Sequence, residues 1–458
     1  MHIYGDLINN TSELRRLTVL AMRTTFTWGP WLRNIVMALH RRVLLLGPTG
    51  VDKAVAAERL ARYVKEKFNH EVRYIDFEKQ FLVPELRKHS IRTWFSFLTQ
   101  DSNRQAVIWK AAWEKLPAAV DGNITILGLH ACYVNGIVGL RCPVDIRLIC
   151  DEYKPSLVVT LIDDVPNMWT RTEARAKGRD DRGRPSFEQL LTARRSEQLL
   201  GDMVVSHSDI PTIRHVLVAS SNALVALANL VIWDSAVTYL SFPISVPRKM
   251  QRKGDRSFID LINELHRLAL TEMENDHGRS LITPLAIDEL PMVFKWSEEQ
   301  AVAKMAAKEA DKEVEFEGIR YRDTRDRWAQ VDFWGGADAA ILPPVDSEIM
   351  IPSEQIEAVA GIVETDVGWR DRRLVLQAQS LAICCPKDPN KNRITRGVRT
   401  ELDAATAVGI SSFYWQEPKW DPENFVGGQF EAGTMGPGAS EALVQRTESL
   451  EALISAKP

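Results

Sequence analysis

Short apolar runs recur along this chain, and between them apolar residues return at helical spacing. The first series covers residues 43–46, 72–77, 124–129, 157–162 and 216–219. A strand buried on both faces reads as such a run, and helical crossovers between successive runs make the strands parallel. Residues 40–222 are therefore expected to form one α/β domain around a five-stranded parallel sheet. Ahead of it, Trp28, Trp31, Leu32, Ile35 and Met37 lie near helical spacing, which makes residues 1–39 a helical packing segment.

A second series starts with the run at 237–243 and passes through an amphipathic helix (Phe258, Ile259, Leu261, Ile262, Leu265, Leu268) to a run at 281–285. Residues 297–330, rich in Glu, Lys, Arg and Ala, interrupt the pattern and read as an insertion of exposed helix and polar loop. The series resumes with a helix at 355–363, a run at 381–385, a helix at 399–408 and a last run at 410–415. Residues 236–416 thus form a second α/β domain. A Gly- and Pro-rich tail follows over 417–458, closing in a short helical segment around Leu443, Val444, Leu450 and Leu453.

Composition adds limits rather than direction. At 458 residues the chain exceeds one ordinary core, so two or three domains are expected. Hydrophobic residues at 45% and charged residues at 26% describe a soluble globular protein. A net charge of -4 and a pI near 6.2 give no strong signal for nucleic acid and no attraction to an anionic membrane. No segment has the length and purity of a membrane span, and residues 1–20 lack a basic start followed by an apolar run, so the cytoplasm is the expected location. The five cysteines form no C-x-x-C pair and are odd in number, so neither a disulfide framework nor a zinc site is indicated.

Chemistry concentrates at the ends of the runs. After residue 46 the chain reads Gly47-Pro48-Thr49-Gly50-Val51-Asp52-Lys53-Ala54 and enters a helical pattern. A Gly-containing turn from strand to helix, followed by Lys, supplies backbone N–H groups, a helix N-terminus and a cation for phosphate. Gly47, Gly50 and Lys53 are therefore candidate nucleotide-binding residues. Against G-x-x-x-x-G-K-[ST], Asp52 replaces the second Gly and Ala54 the hydroxyl that meets Mg²⁺, so binding is altered or catalysis lost. The run at 157–162 ends in Asp163 and Asp164, which either hold Mg²⁺ or cap the helix that opens near Pro166. His130, just past another strand end, faces the same crevice. Between 171 and 195, Arg171, Arg175, Lys177, Arg179, Arg182, Arg184, Arg194 and Arg195 with Gly178 and Gly183 read as an Arg-rich mobile segment over phosphates, or as a solvated loop. Together these features resemble the adenylate-kinase-like group of nucleotide and nucleoside kinases. The resemblance implies a P-loop domain that binds ATP or another nucleotide, with Arg171 and Arg175 on the phosphates and Mg²⁺ at Asp163 and Asp164.

Three segments of the second series carry another resemblance. They are Tyr239-Leu240-Ser241-Phe242-Pro243-Ile244, the stretch from Asp371 to Ser380, and Arg396-Gly397-Val398-Arg399-Thr400-Glu401 before a small-residue helix. In this order they resemble the nucleoside 2-deoxyribosyltransferase-like family, which cleaves or exchanges N-glycosidic bonds. The resemblance implies a Rossmann-like domain in which Tyr239, Ser241 and Pro243 line base and sugar, Asp371 contacts the substrate and Glu401 is the nucleophile. Thr395 stands where the family commonly has an acid. Breaking a sugar–base bond builds positive charge on C1′, and a carboxylate beneath the ring stabilises it or forms a glycosyl ester. Arg393, Arg396 and Arg399, beside Gly397 at a helix start, form an anion-binding corner that favours a substrate with a 5′-phosphate.

The two resemblances together imply a nucleotide-processing enzyme that hydrolyses an N-glycosidic bond in its second domain and binds a nucleotide in a degenerate first one. Nucleotide salvage and an anti-phage effector role both fit such a fusion. The alternatives are an active kinase using Lys53 with Asp163 or Asp164, and a non-catalytic nucleotide-responsive scaffold. A homo-oligomer is expected, because related α/β domains complete their sites from neighbouring subunits.

Overall fold

Val43 and Leu45 of the first strand enter one apolar cluster, and Leu44 and Leu46 enter another. The two-residue period of a strand sends neighbours to opposite faces, so this sheet is covered on both sides. The computed structural model describes residues 41–116, 124–176, 185–219, 224–243, 279–283, 287, 319–322, 348–351, 353–385, 396–416 and 444–446. Its strands are β1 (Arg41–Leu46), β2 (Val72–Asp76), β3 (Ile124–Gly128), β4 (Tyr133–Asn135), β5 (Gly139–Arg141), β6 (Leu157–Ile162), β7 (Arg214–Ala219), β8 (Ala236–Ser241), β9 (Arg279–Ile282), β10 (Ile319–Arg322), β11 (Glu348–Ile351), β12 (Ser380–Cys385), β13 (Ser411–Gln416) and β14 (Val444–Arg446). The helices that matter below are α1 (Lys53–Phe68), α2 (Ser102–Trp113), α3 (Val165–Ala176), α4 (Phe187–His207), α5 (Leu224–Trp233), α6 (Ser353–Leu376) and α7 (Arg396–Ala407).

The chain is an α/β protein with two parallel five-stranded sheets, ordered β2-β3-β1-β6-β7 and β14-β13-β12-β8-β9. In each, the strand order reverses beside a central strand, β1 in the first sheet and β8 in the second. Ligand crevices of open α/β sheets form at such places, outside the carboxyl ends of the strands. One apolar cluster runs through both sheets, joining Val43 and Val216 to Leu227 and Leu230 of α5, Val237 of β8, Ile356 and Val363 of α6, and Leu402 of α7. The second cluster, on the far face of the first sheet, packs Phe77 against Trp109 and Trp113 with ring centroids 5.1 and 5.7 Å away.

Helix α6 ties the two halves together. Beyond its end, the Gln377 amide accepts from the Leu217 N–H at 2.7 Å and donates to the Leu217 carbonyl at 2.9 Å. It thereby satisfies the open edge of β7 as a further strand would.

Two expectations change. Val444 belongs to β14, which pairs in parallel with β13, and not to a helix. A three-residue strand is too short for its period to show, and the edge of β13 supplies its hydrogen bonds. Within the stretch read as exposed helix and loop, Ile319–Arg322 is a strand paired antiparallel with β11. Its Ile-Arg-Tyr-Arg alternation carries the two-residue period. The packing segment at 1–39, the helix around Phe258 and Leu268, and Arg393 lie outside the described residues. Among the described residues, no helix is long and apolar enough to cross a membrane.

Candidate functional site

Tyr239 and Ser241 stand two residues apart near the carboxyl end of β8, which places them on one face of the strand. Both reach the same group. The Tyr239 hydroxyl donates to Glu401 Oε1 at 2.8 Å, and the Ser241 hydroxyl donates to Glu401 Oε2. Glu401 lies in the second turn of α7 and is only 7% exposed. Burial, and then the negative charge of Asp371, push its carboxyl up to about 8, while the two hydroxyl donors and Arg370 pull the other way. The Tyr239 phenol is held well above its usual range by burial and by Glu401, so it stays protonated as a donor.

Asp371 comes from α6, where its Oδ1 accepts from Arg370 Nε at 3.0 Å and Nη2 at 2.8 Å. Pro243 is buried two residues beyond Ser241, at the mouth of the same sheet. Arg396 opens α7 one turn ahead of Glu401, and Arg399 is half-buried on it. Tyr239, Ser241, Asp371 and Glu401, distant in sequence, are thus brought to one place. Arg370 is the member that sequence reading missed, because the Arg370-Asp371-Arg372-Arg373 run looks like any solvated helix face.

The first sheet carries a second polar corner. Gly50 has φ +92°, and a Cβ there would lie 2.4 Å from the Met168 carbonyl oxygen, so glycine is required where the loop meets α3. Lys53 is buried at the start of α1, its Nζ donating to the Gly47 carbonyl at 3.0 Å and lying 2.8 and 3.0 Å from the two ring nitrogens of His130. Burial lowers the Lys53 pKa, opposed by the charges of Glu78, Glu197 and Asp76. Glu78 accepts from the His130 N–H and the Tyr133 hydroxyl, and Glu197 from the N–H groups of Ala131 and Cys132.

Asp163, read as a metal ligand or a cap, accepts from the Asp164 N–H at 2.8 Å and from Asn167 at 3.2 Å with its Oδ1. Its Oδ2 takes the Arg171 guanidinium, whose Nη1 also donates to the Gly50 carbonyl at 3.3 Å. Asp164 is buried beside it. Arg175 lies in the last turn of α3.

The ends of the stretch read as a mobile segment are helical: Arg171 and Arg175 lie within α3, Arg194 and Arg195 within α4, and Lys177, Arg179, Arg182 and Arg184 lie outside the described residues. Arg194, 1% exposed, donates to the Asp163 carbonyl at 2.9 Å and pairs with Asp366 of α6, which Arg195 also contacts. They read as a lid because two arginines after a Gly-containing stretch carry the same signature whether solvated or buried.

A magnesium-bound triphosphate is poorly matched by these residues in this conformation. Ala54 offers no hydroxyl, both Asp163 oxygens are engaged, and the N–H groups of Val51 and Lys53 donate to the loop's own carbonyls at Pro48 and Val51. The corner also gathers carboxylates around Lys53, which weakens its hold on an anion. Compared with known proteins, the chain matches no family model and no curated protein.

Proposed function

We propose that the second α/β unit is an N-glycosidase acting on a nucleotide, in an arrangement like that of the nucleoside 2-deoxyribosyltransferases, with Glu401 as nucleophile. The carrying observation is the buried carboxyl group gripped by Tyr239 and Ser241 at the carboxyl end of β8, with the charge of Asp371 acting on it. In this reading Glu401 attacks C1′ as the C1′–N bond breaks, and its electron pair leaves with the base. The base takes a proton from water, Thr395 replacing the usual acid, and a second water hydrolyses the glycosyl ester. The two hydroxyls orient the carboxylate and relax their grip as charge moves to the sugar. The N-terminus of α7, where Arg396 sits, favours a 5′-phosphate.

Only ionised Glu401 can attack. With its carboxyl pushed up to about 8, kcat/KM for base release should rise roughly tenfold per pH unit below that value and level above it. Incubation with a panel of nucleosides and nucleoside 5′-monophosphates, with free base followed by chromatography, tests both points. No base from any of them, or a flat pH profile, refutes the reading.

The first unit, a P-loop-like corner with altered chemistry, is proposed to sense a nucleotide rather than to transfer phosphate. Binding requires Lys53 to leave the Gly47 carbonyl and His130. A nucleotide that binds should raise the melting temperature by mass action, and Lys53→Ala should remove that shift. A shift that survives the substitution would place the nucleotide elsewhere.

A further inference from the structure

We infer that Arg370 is a positioning residue for this site: its guanidinium clamps Asp371 beside Glu401 and fixes how the two carboxylates face the sugar. The inference rests on the N-glycosidase reading of Glu401. Arg370 and Asp371 are consecutive on α6, and consecutive side chains leave a helix about 100° apart, so they do not meet by default. Here the long Arg side chain turns back to place both Nε and Nη2 on one oxygen of its neighbour, at 3.0 and 2.8 Å. It does so 2% exposed, and a guanidinium is costly to bury without an anion to balance it.

Among the described residues, the anions on which it acts include those of the site. Its positive charge acts on Glu401 and on Tyr239 as well as on Asp371. Among the described residues, the groups that act on Glu401 are Tyr239 and Ser241 from β8, and Asp371 and Arg370 from α6. Asp371 repels the ionised form of Glu401, and the permanently charged Arg370 offsets that repulsion. One turn earlier on α6, Asp366 is held by Arg194 and Arg195, so the segment carrying Arg370 is anchored to α4. Arg370 therefore acts through the two carboxylates, and a nearby charge alone would not need the fork.

Arg370→Gln and Arg370→Lys in the full chain test this. For the Gln variant, the midpoint of the kcat/KM profile should move up from about 8 by about one pH unit, with a loss of about tenfold at neutral pH. The Lys variant keeps the charge but loses the fork, so its midpoint should hold while kcat falls by about fivefold or more. An unmoved midpoint in Arg370→Gln overturns the inference, as does wild-type kcat in Arg370→Lys. If Arg370→Gln does not fold, an Asp371→Asn background decides. There Arg370→Lys should cost nothing further in kcat, and an undiminished cost shows that Arg370 does not act through Asp371. The pH dependence of melting temperature, each variant compared with its Glu401→Gln form, reads the same midpoint without turnover. A wild type that releases no base defeats the N-glycosidase reading, while a thermal midpoint that moves in the Gln variant and holds in the Lys variant still shows that the charge of Arg370 acts on Glu401, and an unmoved one in the Gln variant overturns the inference.

Discussion

Glu401→Gln is expected to reduce base release by at least about 10³-fold while the chain stays folded. Glutamine keeps the shape and an oxygen for Tyr239, and the Ser241 hydroxyl can rotate to accept from the new amide, so packing is preserved. What it loses is the charge that, in the proposed reaction, attacks C1′. The same substitution should change the response to pH. In the folded protein the Glu401 carboxyl is pushed up to about 8, against an ordinary value of 4.5. Between those values the folded state keeps a proton that the unfolded chain has released. The stability from this group is therefore full below the ordinary value and is lost as pH rises through about 8. At about 1.4 kcal/mol for each factor of ten, the loss amounts to several kcal/mol. The wild type should become less stable from mildly acidic to mildly alkaline solution by more than Glu401→Gln does, in denaturant midpoints or melting temperatures. Parallel stability curves would mean that Glu401 is ionised in the resting protein, and retained turnover would remove it as nucleophile.

Strands that are buried on both faces were legible because nothing polar interrupts them: β6 has the bounds its apolar run predicts, β1 and β7 begin two residues before theirs, and β3 ends one residue short of its run. The Glu401 grip was half legible. The Arg396-Gly397-Val398 start and the glutamate five residues past Arg396 mark a helix opening, and Tyr239 and Ser241 mark one face of a strand, but only parallel pairing of β8 with β12 brings the two together. Interactions between charged helix residues left no local trace. Asp366 sits in a Glu-Thr-Asp-Val stretch that reads as solvated helix, and its partner Arg194 is 172 residues away. Likewise, nothing near Glu197 announces that it will be buried under the N–H groups of Ala131 and Cys132.

That hidden pair gives the other large effect. Asp366→Ala is expected to lower stability by about 3–5 kcal/mol, read as a drop in denaturant midpoint at unchanged slope. Burial pushes the Asp366 carboxyl up, but Arg194 and Arg195 outweigh it and hold the group below the usual carboxylate range. A lowered value means that the stabilisation is complete above the ordinary carboxylate pKa and is lost as pH falls through the lowered one. Wild type and Asp366→Ala should therefore converge in acid. The cost arises because Arg194 cannot shed its charge and cannot reach water from its buried place in α4. Replacing both partners with apolar residues, as in Arg194→Met with Asp366→Leu, should recover much of the loss, since neither charge then needs balancing. A loss below about 1 kcal/mol for Asp366→Ala, as exposed pairs give, would show that α4 and α6 are held by their apolar contacts alone. If instead stability falls as expected and base release falls with it, beyond what unfolding explains, the anchor that joins α6 to the first sheet also sets the placement of Arg370 and Asp371 one turn later.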